Sequence, residues 1–161
     1  MKIPNATSVA VVLLASGLLM AADAGADVEM DVAKNPSVLL LPPKAGDLEV
    51  YGVKLGDAVE RIPVAAGATR RPGDRPQDAL YVGPNVTYYA HEGKIYQINV
   101  HGDIIKAMPP YNATRLQMKL GKADDIRDPE TGVLYLTYFG NRLGFTFVGS
   151  KNVASVDLYA P

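Results

Sequence analysis

TYYAHEGKIYQINVHGD, residues 87–103, shows the clearest strand pattern in the chain. Apolar and polar side chains alternate on either side of the loop at 91–93, which is typical of two short strands joined by a tight turn. We therefore expect one strand over Leu80–Ala90 and a second over Lys94–His101. Gly93 supplies the left-handed backbone conformation that a three-residue hairpin loop needs.

This loop also predicts which side chains share a face of the hairpin. It pairs Tyr88 with Tyr96 and Val86 with Ile98. The first face is then apolar and carries Val86, Tyr88, Ala90, Tyr96, Ile98 and Val100. The second face is mostly polar and carries Thr87, Tyr89, Ile95, Gln97, Asn99 and His101. One apolar and one polar face predict an antiparallel sheet that is covered on one side only.

The C-terminal part of the chain repeats this pattern in VLYLTYFGNRLGF, residues 133–145. A two-residue Gly140-Asn141 loop, with glycine first, predicts a type II′ turn. The predicted register pairs Leu134 with Phe147, Leu136 with Phe145 and Tyr138 with Leu143. A further loop at 149–152 brings Phe145 against Val156 and Leu143 against Leu158. The polar face of these strands carries Tyr135, Thr137, Thr146, Ser155, Asp157 and Tyr159.

Two short helices are predicted before these hairpins. Asp57 is a good N-cap for a helix over Ala58–Ile62, which Pro63 ends. Residues 66–79 are loop by composition. In the second half Asn112 caps a helix that ends at Gly121. The apolar positions of this second helix are Ala113, Leu116 and Leu120.

These elements predict an α+β fold: an antiparallel sheet with short helices on one face, built from two degenerate α-β-β units. The units cover about 48–103 and 104–161 of a single domain at 48–161, with an offset of roughly 55 residues. Residues 27–47 contain three prolines and no lasting periodicity. We expect them to form an extended lead-in segment, of which Val38–Leu41 could dock on the domain.

Several short motifs resemble a known module. YGVKLGD at 51–57, KIYQINV at 94–100 and LGKAD at 120–124 are similar to parts of the helix–strand–strand module of the β-lactamase inhibitory protein and of the small outer-membrane-assembly lipoproteins. The resemblance covers about residues 50–159 and implies a protein that binds other proteins on a sheet face. This chain lacks the lipidated cysteine of those lipoproteins and the disulfides of the inhibitory protein.

Residues 1–26 have the features of a secretory signal peptide. Lys2 precedes an apolar run over Ser8–Met20, and small residues then recur with A-x-A spacing. The run is shorter than the roughly 20 residues that a bilayer crossing needs. A non-cleaved anchor or a buried helix is the alternative. We expect the mature chain to begin near Gly25 or Asp27, with no membrane span left after cleavage.

Composition narrows the compartment and the kinds of partner. The net charge is −1, so no basic excess indicates nucleic acid or an anionic membrane. Cysteine is absent, which excludes thiol catalysis, thiolate metal sites and disulfides. An exported chain without disulfides favours a periplasmic location, or a similar envelope space, over an extracellular one.

The sequence offers no convincing catalytic or metal site, and we expect no cofactor. His91 lies at the hairpin tip and His101 about seven residues along a strand. At about 3.3 Å per residue they are roughly 20 Å apart, too far to share one metal ion. His101 with Ser155 and Asp157 is a conceivable triad, but no strained nucleophile turn supports it.

The aromatic composition is the better functional indication. Nine tyrosines accompany three phenylalanines and no tryptophan, and tyrosine suits a binding surface that is also exposed to water. We expect an exported, non-enzymatic protein that binds another protein or an envelope component. The candidate binding residues are Thr87, Tyr89, Gln97, Asn99, His101, Tyr135, Thr137, Ser155, Asp157 and Tyr159. The alternatives are a small hydrolase centred on His101 and a small-ligand carrier with a pocket between the sheet and the 66–79 loop.

Overall fold

The computed structural model describes residues 29–127, 132–149 and 151–161. The predicted signal peptide, residues 1–26, lies outside them. The described chain forms one antiparallel sheet of eight strands in the order β1-β2-β3-β4-β8-β7-β6-β5. The strands are β1 (Thr69–Pro72), β2 (Asp78–Val82), β3 (Val86–His91), β4 (Lys94–Val100), β5 (Asp125–Arg127), β6 (Val133–Tyr138), β7 (Leu143–Val148) and β8 (Val153–Tyr159).

The helices are short. The α-helices of the described chain are α1 (Gly102–Ala107) and α2 (Ala113–Leu120), and single 3₁₀ turns occur at Pro36–Leu40, Ala45–Asp47, Val59–Arg61 and Val64–Ala66. Within the described ranges no helix has the length and apolar character that a bilayer crossing requires.

The predicted α+β class is therefore wrong, because the fold is predominantly β. The helix expected over Ala58–Ile62 is only a 3₁₀ turn at Val59–Arg61. Asp57 does not cap it; its carboxylate accepts from the Lys54 amide at 2.8 Å and pairs with Arg61. Proline follows directly after this segment and prevents a longer run of i to i−4 hydrogen bonds. The predicted helix at Ala113–Leu120 is confirmed, with Asn112 Oδ1 accepting from the Arg115 amide.

The predicted loop at 66–79 is wrong in part, because it contains β1 and the start of β2. Strand β1 has the sequence TRRP and all of its residues are exposed. An edge strand with no buried side chain shows no apolar alternation, and arginine with proline is a common protection of such edges. This strand therefore gave no signal in the sequence.

The sheet consists of two four-stranded halves. Strands β1–β4 form the N-terminal half, β5–β8 form the C-terminal half, and β4 pairs with β8 in the middle. Each half carries a β-bulge, and the extra residues are Tyr96 and Ala154, whose numbers differ by 58. Because the two last strands pair antiparallel, an approximate two-fold axis passes through the central Asn99–Asp157 pair.

The bulge corrects the predicted register of the first hairpin. Tyr88 pairs with Ile98 instead of Tyr96, and the turn has two residues, Glu92 and Gly93, both with positive φ. The extra residue in β4 places Ile95 in the core, 1% exposed, and turns Tyr96 outward, 42% exposed. The predicted faces of these two residues are thus exchanged, whereas the left-handed Gly93 is confirmed.

The registers predicted for the C-terminal hairpins are confirmed. Leu136 pairs with Phe145, and Phe145 with Val156. The turn type is wrong, because Gly140 does not adopt a positive φ. In this loop the left-handed residue is Arg142, with φ 57°, whose amide donates to the Phe139 carbonyl at 3.1 Å.

One face of the sheet, which we call the inner face, packs into a single core. Its residues include Tyr88, Ile98, Leu136, Phe145, Phe147, Val156 and Leu158, all at most 1% exposed. The cover comes from α1, α2 and residues 29–66. Within the segment predicted as an extended lead-in, the docking expected for Val38–Leu41 is found for Val38, Leu39 and Leu40, which are buried, whereas Leu41 is 53% exposed.

Two buried polar contacts hold this N-terminal segment in place. The carboxylate of Asp31, only 3% exposed, accepts from the Ala33, Tyr51 and Gly52 amides at 3.0–3.1 Å. The Tyr88 hydroxyl donates to the Val50 carbonyl at 2.9 Å. Each bond satisfies groups that would be costly to bury unpaired.

Candidate functional site

The candidate binding residues all lie on the side of the sheet opposite the core, which we call the outer face. They occupy the strand positions that alternate with core residues on β3, β4, β6 and β8, and His101 follows β4 directly. Thr87 is buried at 8% exposure, and the others are partly or fully exposed. The strand alternation therefore brings residues from both halves together on one surface.

A polar cluster lies at the centre of this face. Asp157 Oδ1 accepts from Gln97 Nε2 at 3.0 Å and from Asn99 Nδ2 at 2.8 Å. Burial, and then the nearby Asp157 carboxylate, raise the pKa of Tyr89 and raise that of Tyr159 to about 12. Both phenols are therefore protonated at neutral pH and can act as hydrogen-bond donors.

His101 lies beside this cluster, and its ring is partly buried. Its Nε2 contacts Thr87 Oγ1 at 3.3 Å, and burial lowers the pKa of the imidazole, which keeps the ring neutral. In the described residues no carboxylate is hydrogen-bonded to either ring nitrogen, so the orienting acid of a triad is absent there. Ser155 shares the face, but no hydrogen bond joins it to His101.

Tyr96 belongs to the outer face, although the sequence placed it in the core. Its ring lies 6.4 Å from that of Tyr89, centroid to centroid, at an interplanar angle of 57°. Nearby, His91 Nδ1 contacts Asp78 Oδ1 at 2.7 Å. A hollow of about 430 Å³ lies here, lined by Asp74, Arg75, Asp78, His91 and Tyr96. The carrier alternative placed its pocket between the sheet and the 66–79 segment, but part of that segment belongs to the sheet as β1 and the start of β2.

A larger cavity of about 650 Å³ lies at the other end of the face, in the C-terminal half. It is lined by Asp125, Arg127, Tyr135, Thr137, Phe139, Arg142, Tyr159, Ala160 and Pro161. Tyr135, Thr137 and Tyr159 were expected to bind. Phe139 and Arg142 were missed because a hairpin turn carries them, and Asp125 and Arg127 because β5 has only three residues.

Gly144 explains how Tyr159 lies beside this cavity. A Cβ atom at Gly144 would stand 3.1 Å from Tyr159 Oη and 3.3 Å from Cε2, so the phenol ring occupies the space above the glycine. Gly144 pairs with Thr137 on one side and Asp157 on the other. The missing side chain therefore leaves room for the Tyr159 ring to lie over β7, between β6 and β8.

No metal centre is evident: residues 29–127, 132–149 and 151–161 contain no group of three His, Asp or Glu side chains that could hold a metal ion. The outer face carries aromatic rings, amides and hydroxyls around the Asp157 carboxylate and His101, with a cavity at one end. Comparison with protein families, curated proteins and solved structures finds no match to this chain.

Proposed function

We propose that this protein is an exported, non-enzymatic binding protein that uses the outer face of its sheet to hold another protein or a cell-envelope component. One observation carries the proposal. The outer face gathers tyrosines from both halves beside an open cavity, while the core occupies the opposite face. Exposed aromatic groups around a concave site are typical of binding surfaces.

The hydrogen-bonding groups of the face support binding because they are held in fixed positions. Asp157 restrains the amides of Gln97 and Asn99, and the half-buried Tyr89 and Tyr159 rings remain neutral. Side chains that are already ordered lose less conformational entropy when a partner binds. The central cluster would then set orientation, and the aromatic rings at either end would supply contact area.

The periplasmic location belongs to the proposal and is supported by the signal-like residues 1–26 and by the absence of cysteine. Catalysis is not proposed, because the geometry around His101 supplies no orienting acid within the described chain. The resemblance to the β-lactamase inhibitory protein remains a prediction, and the proposal does not depend on it.

A capture experiment tests the proposal. The mature chain, Asp27 to Pro161, is immobilised and exposed to envelope extract beside a Tyr89→Ala/Tyr135→Ala variant. A matched control, Val64→Ala/Met118→Ala, removes exposed apolar side chains that lie outside the sheet. All three proteins are first shown to have equal melting temperatures.

We expect a partner that the wild type and the control retain and the tyrosine variant loses. The partner is then purified, and titration calorimetry should show at least tenfold weaker binding to the tyrosine variant, since interface tyrosines often contribute more than 1 kcal/mol. Equal retention by all three proteins would show that the outer face is not the binding surface.

A further inference from the structure

We propose that the centre of the outer face is a binding site for a primary ammonium group, supplied by a lysine side chain of the partner protein. The acceptor is the carboxylate of Asp157, and tyrosine rings lie beside it. The inference deepens the proposed function and rests on it, because it names the chemistry that the partner presents to this face.

The carboxylate of Asp157 has one oxygen that is held and one that is free. Oδ1 accepts from Gln97 Nε2 at 3.0 Å and from Asn99 Nδ2 at 2.8 Å. Oδ2 accepts no hydrogen bond from the described chain, and no buried side-chain oxygen there lacks a partner, so Oδ2 is open to solvent. The two amides therefore fix the direction of the carboxylate and leave a single oxygen for a ligand.

The charge of Asp157 is not balanced by a neighbouring side chain. Among the described residues no basic nitrogen lies within 4.0 Å of this carboxylate, because the ion pairs there are made by other acidic residues. Burial lowers the pKa of His101, so its ring adds no positive charge at neutral pH. The centre of the face therefore keeps the negative charge of Asp157.

The two hollows at the ends of the face do not balance this charge either. In the larger cavity Arg127 is paired with Asp125, and Arg142 is offset by the terminal carboxylate of Pro161. The lining of the smaller hollow sets two acids against one arginine, since it consists of Asp74, Arg75, Asp78, His91 and Tyr96. Neither end of the face therefore carries an excess of positive charge.

Arg71 and Lys94, two further basic residues of the outer face, are remote from Asp157. Arg71 lies on β1, four strands from β8, which is roughly 19 Å at about 4.8 Å per strand. Lys94 begins β4, whereas Asp157 pairs with Asn99, so the two are roughly 16 Å apart along the strand. Both distances exceed the Debye length of about 8 Å at physiological salt. Solvent ions therefore screen these charges from Asp157.

Tyrosine rings near the carboxylate favour the same kind of ligand. The centroids of the Tyr89 and Tyr96 rings lie 6.4 Å apart at an interplanar angle of 57°. A Cβ atom at Gly144 would stand 3.1 Å from Tyr159 Oη and 3.7 Å from Asp157 Cβ, so this phenol lies beside the acid. Burial, and then the Asp157 carboxylate, raise the pKa of Tyr89, which agrees with a position near that charge. Aromatic ring faces attract cations, and a carboxylate beside them adds to the attraction.

A lysine ammonium group fits this arrangement better than an arginine guanidinium group. Guanidinium groups bind carboxylates through two parallel hydrogen bonds, which require both oxygens. At Asp157 the two amides already occupy Oδ1. An ammonium group is a point charge with separate donors and requires only Oδ2.

The probe is the peptide acetyl-Gly-Gly-Lys-Gly-Gly-amide. The same peptide with Nε-acetyl-lysine removes the charge, and an arginine version changes the shape of the cation. Binding to the mature chain is followed by amide NMR shifts at low salt. We expect a Kd below about 10 mM for the lysine peptide, with shifts centred on Asn99, Gly144 and Asp157, and at least fivefold weaker binding of the other two peptides.

Two results with these peptides would contradict the inference. Equal affinity for the lysine and the acetyl-lysine peptide would overturn the recognition of charge. Equal or tighter binding of the arginine peptide would overturn the choice of lysine.

Matched variants locate the site. Asp157→Asn keeps an oxygen acceptor for Gln97 and Asn99 but removes the charge, and it should weaken binding of the lysine peptide at least fivefold. Glu60→Gln removes an exposed acid outside the sheet and should leave binding unchanged. Tyr96→Leu, at a position 42% exposed, should weaken binding at least twofold. Equal melting temperatures check the fold, and an Asp157→Asn variant that binds like the wild type would refute the site.

The failure of this inference is distinguishable from failure of the proposed function. If the capture experiment retains a partner through Tyr89 and Tyr135 but the lysine peptide does not bind, the outer face binds a protein and the ammonium site is refuted. If the peptide binds through Asp157 and the capture experiment retains nothing, the ammonium site is supported and the protein-binding function fails.

Discussion

The two halves of the sheet share their strand order and the position of their bulge, but they differ on the outer face. On the inner face the equivalent Tyr88 and Phe145 are both fully buried core rings. On the outer face Thr87 contacts His101, whereas the equivalent Gly144 leaves space for the Tyr159 ring. The core side of the pattern is therefore alike in both halves, and the water-facing side differs.

The difference has a physical reason. An inner residue must fill a close-packed space, so its size and polarity are restricted at every position. An outer residue faces water or its neighbours and can change at small cost in stability. Function, if it lies on the sheet, is therefore to be sought where equivalent positions differ, and the cavity beside Gly144 is such a place.

The largest effect should come from truncating the equivalent core rings. Tyr88→Ala and Phe145→Ala should each lower the free energy of unfolding by about 3–5 kcal/mol, because each leaves a cavity in the core. Urea denaturation measures the loss. Val148→Ala on the same strand as Phe145 is 55% exposed and should change it by less than about 0.5 kcal/mol. If only one of the two variants, Tyr88→Ala or Phe145→Ala, lost little unfolding free energy, the two inner faces would not be equivalent.

The next prediction tests whether the N-terminal segment packs on the core or forms only an extended lead-in. Leu39→Ala should cost about 2–5 kcal/mol, because this side chain is fully buried against both halves' common core. Leu41→Ala, at a position 53% exposed, is the matched control and should be nearly neutral. Denaturation curves that shift equally for both variants would mean that the segment does not pack in solution.

Exchanging the outer residues tests the divergence directly. Gly144→Thr should cost about 1–3 kcal/mol, because the new Cβ forces the Tyr159 ring to move. Adding Tyr159→His reproduces the Thr87–His101 pair of the other half and should recover part of the loss. A double variant as unstable as the sum of its parts, in the same urea assay, would show that the two sites are not interchangeable.

The next effect appears at high pH in the C-terminal half. Burial raises the pKa of Tyr159 from 10.0 to about 12, so the unfolded chain loses this proton first. Its contribution to stability is complete below pH 10 and is lost as the pH rises towards about 12. Tyr159→Phe should flatten the fall of unfolding free energy between pH 10 and 12. An unchanged slope would contradict the assignment.

The smallest effect should appear at low pH in the N-terminal half. Burial lowers the pKa of His101 below 6.5, so protons bind the unfolded chain more readily. The wild type should therefore lose stability as the pH falls through 6.5, and His101→Gln should lose less. Melting temperatures at pH 7 and pH 5 provide the measurement. If the melting temperature of His101→Gln fell more than that of the wild type between pH 7 and pH 5, the prediction would be contradicted.

Local sequence was sufficient for the parts of the fold that depend on neighbouring residues. Strand β4, the strands of the C-terminal hairpins, the left-handed Gly93 and the α2 cap at Asn112 follow from alternation, turn chemistry and side-chain acceptors. The single strand predicted over Leu80–Ala90 is wrong, because β2 and β3 occupy this range as an antiparallel pair with a turn at 83–85. The register of β6, β7 and β8 was also predicted, because their apolar residues alternate up to a single bulge. The gathering of the candidate binding residues on one face follows from the same alternation.

The sequence by itself thus determined an antiparallel, cysteine-free sheet with one apolar and one polar face. Tertiary structure alone decided the bulge at Tyr96, since one extra residue exchanges the faces of its neighbours and nothing local signals it. It also decided that the Tyr159 ring lies over Gly144, and that Tyr159 and Arg142 line one cavity. These features depend on contacts between residues far apart in the chain, and such contacts leave no periodic signal.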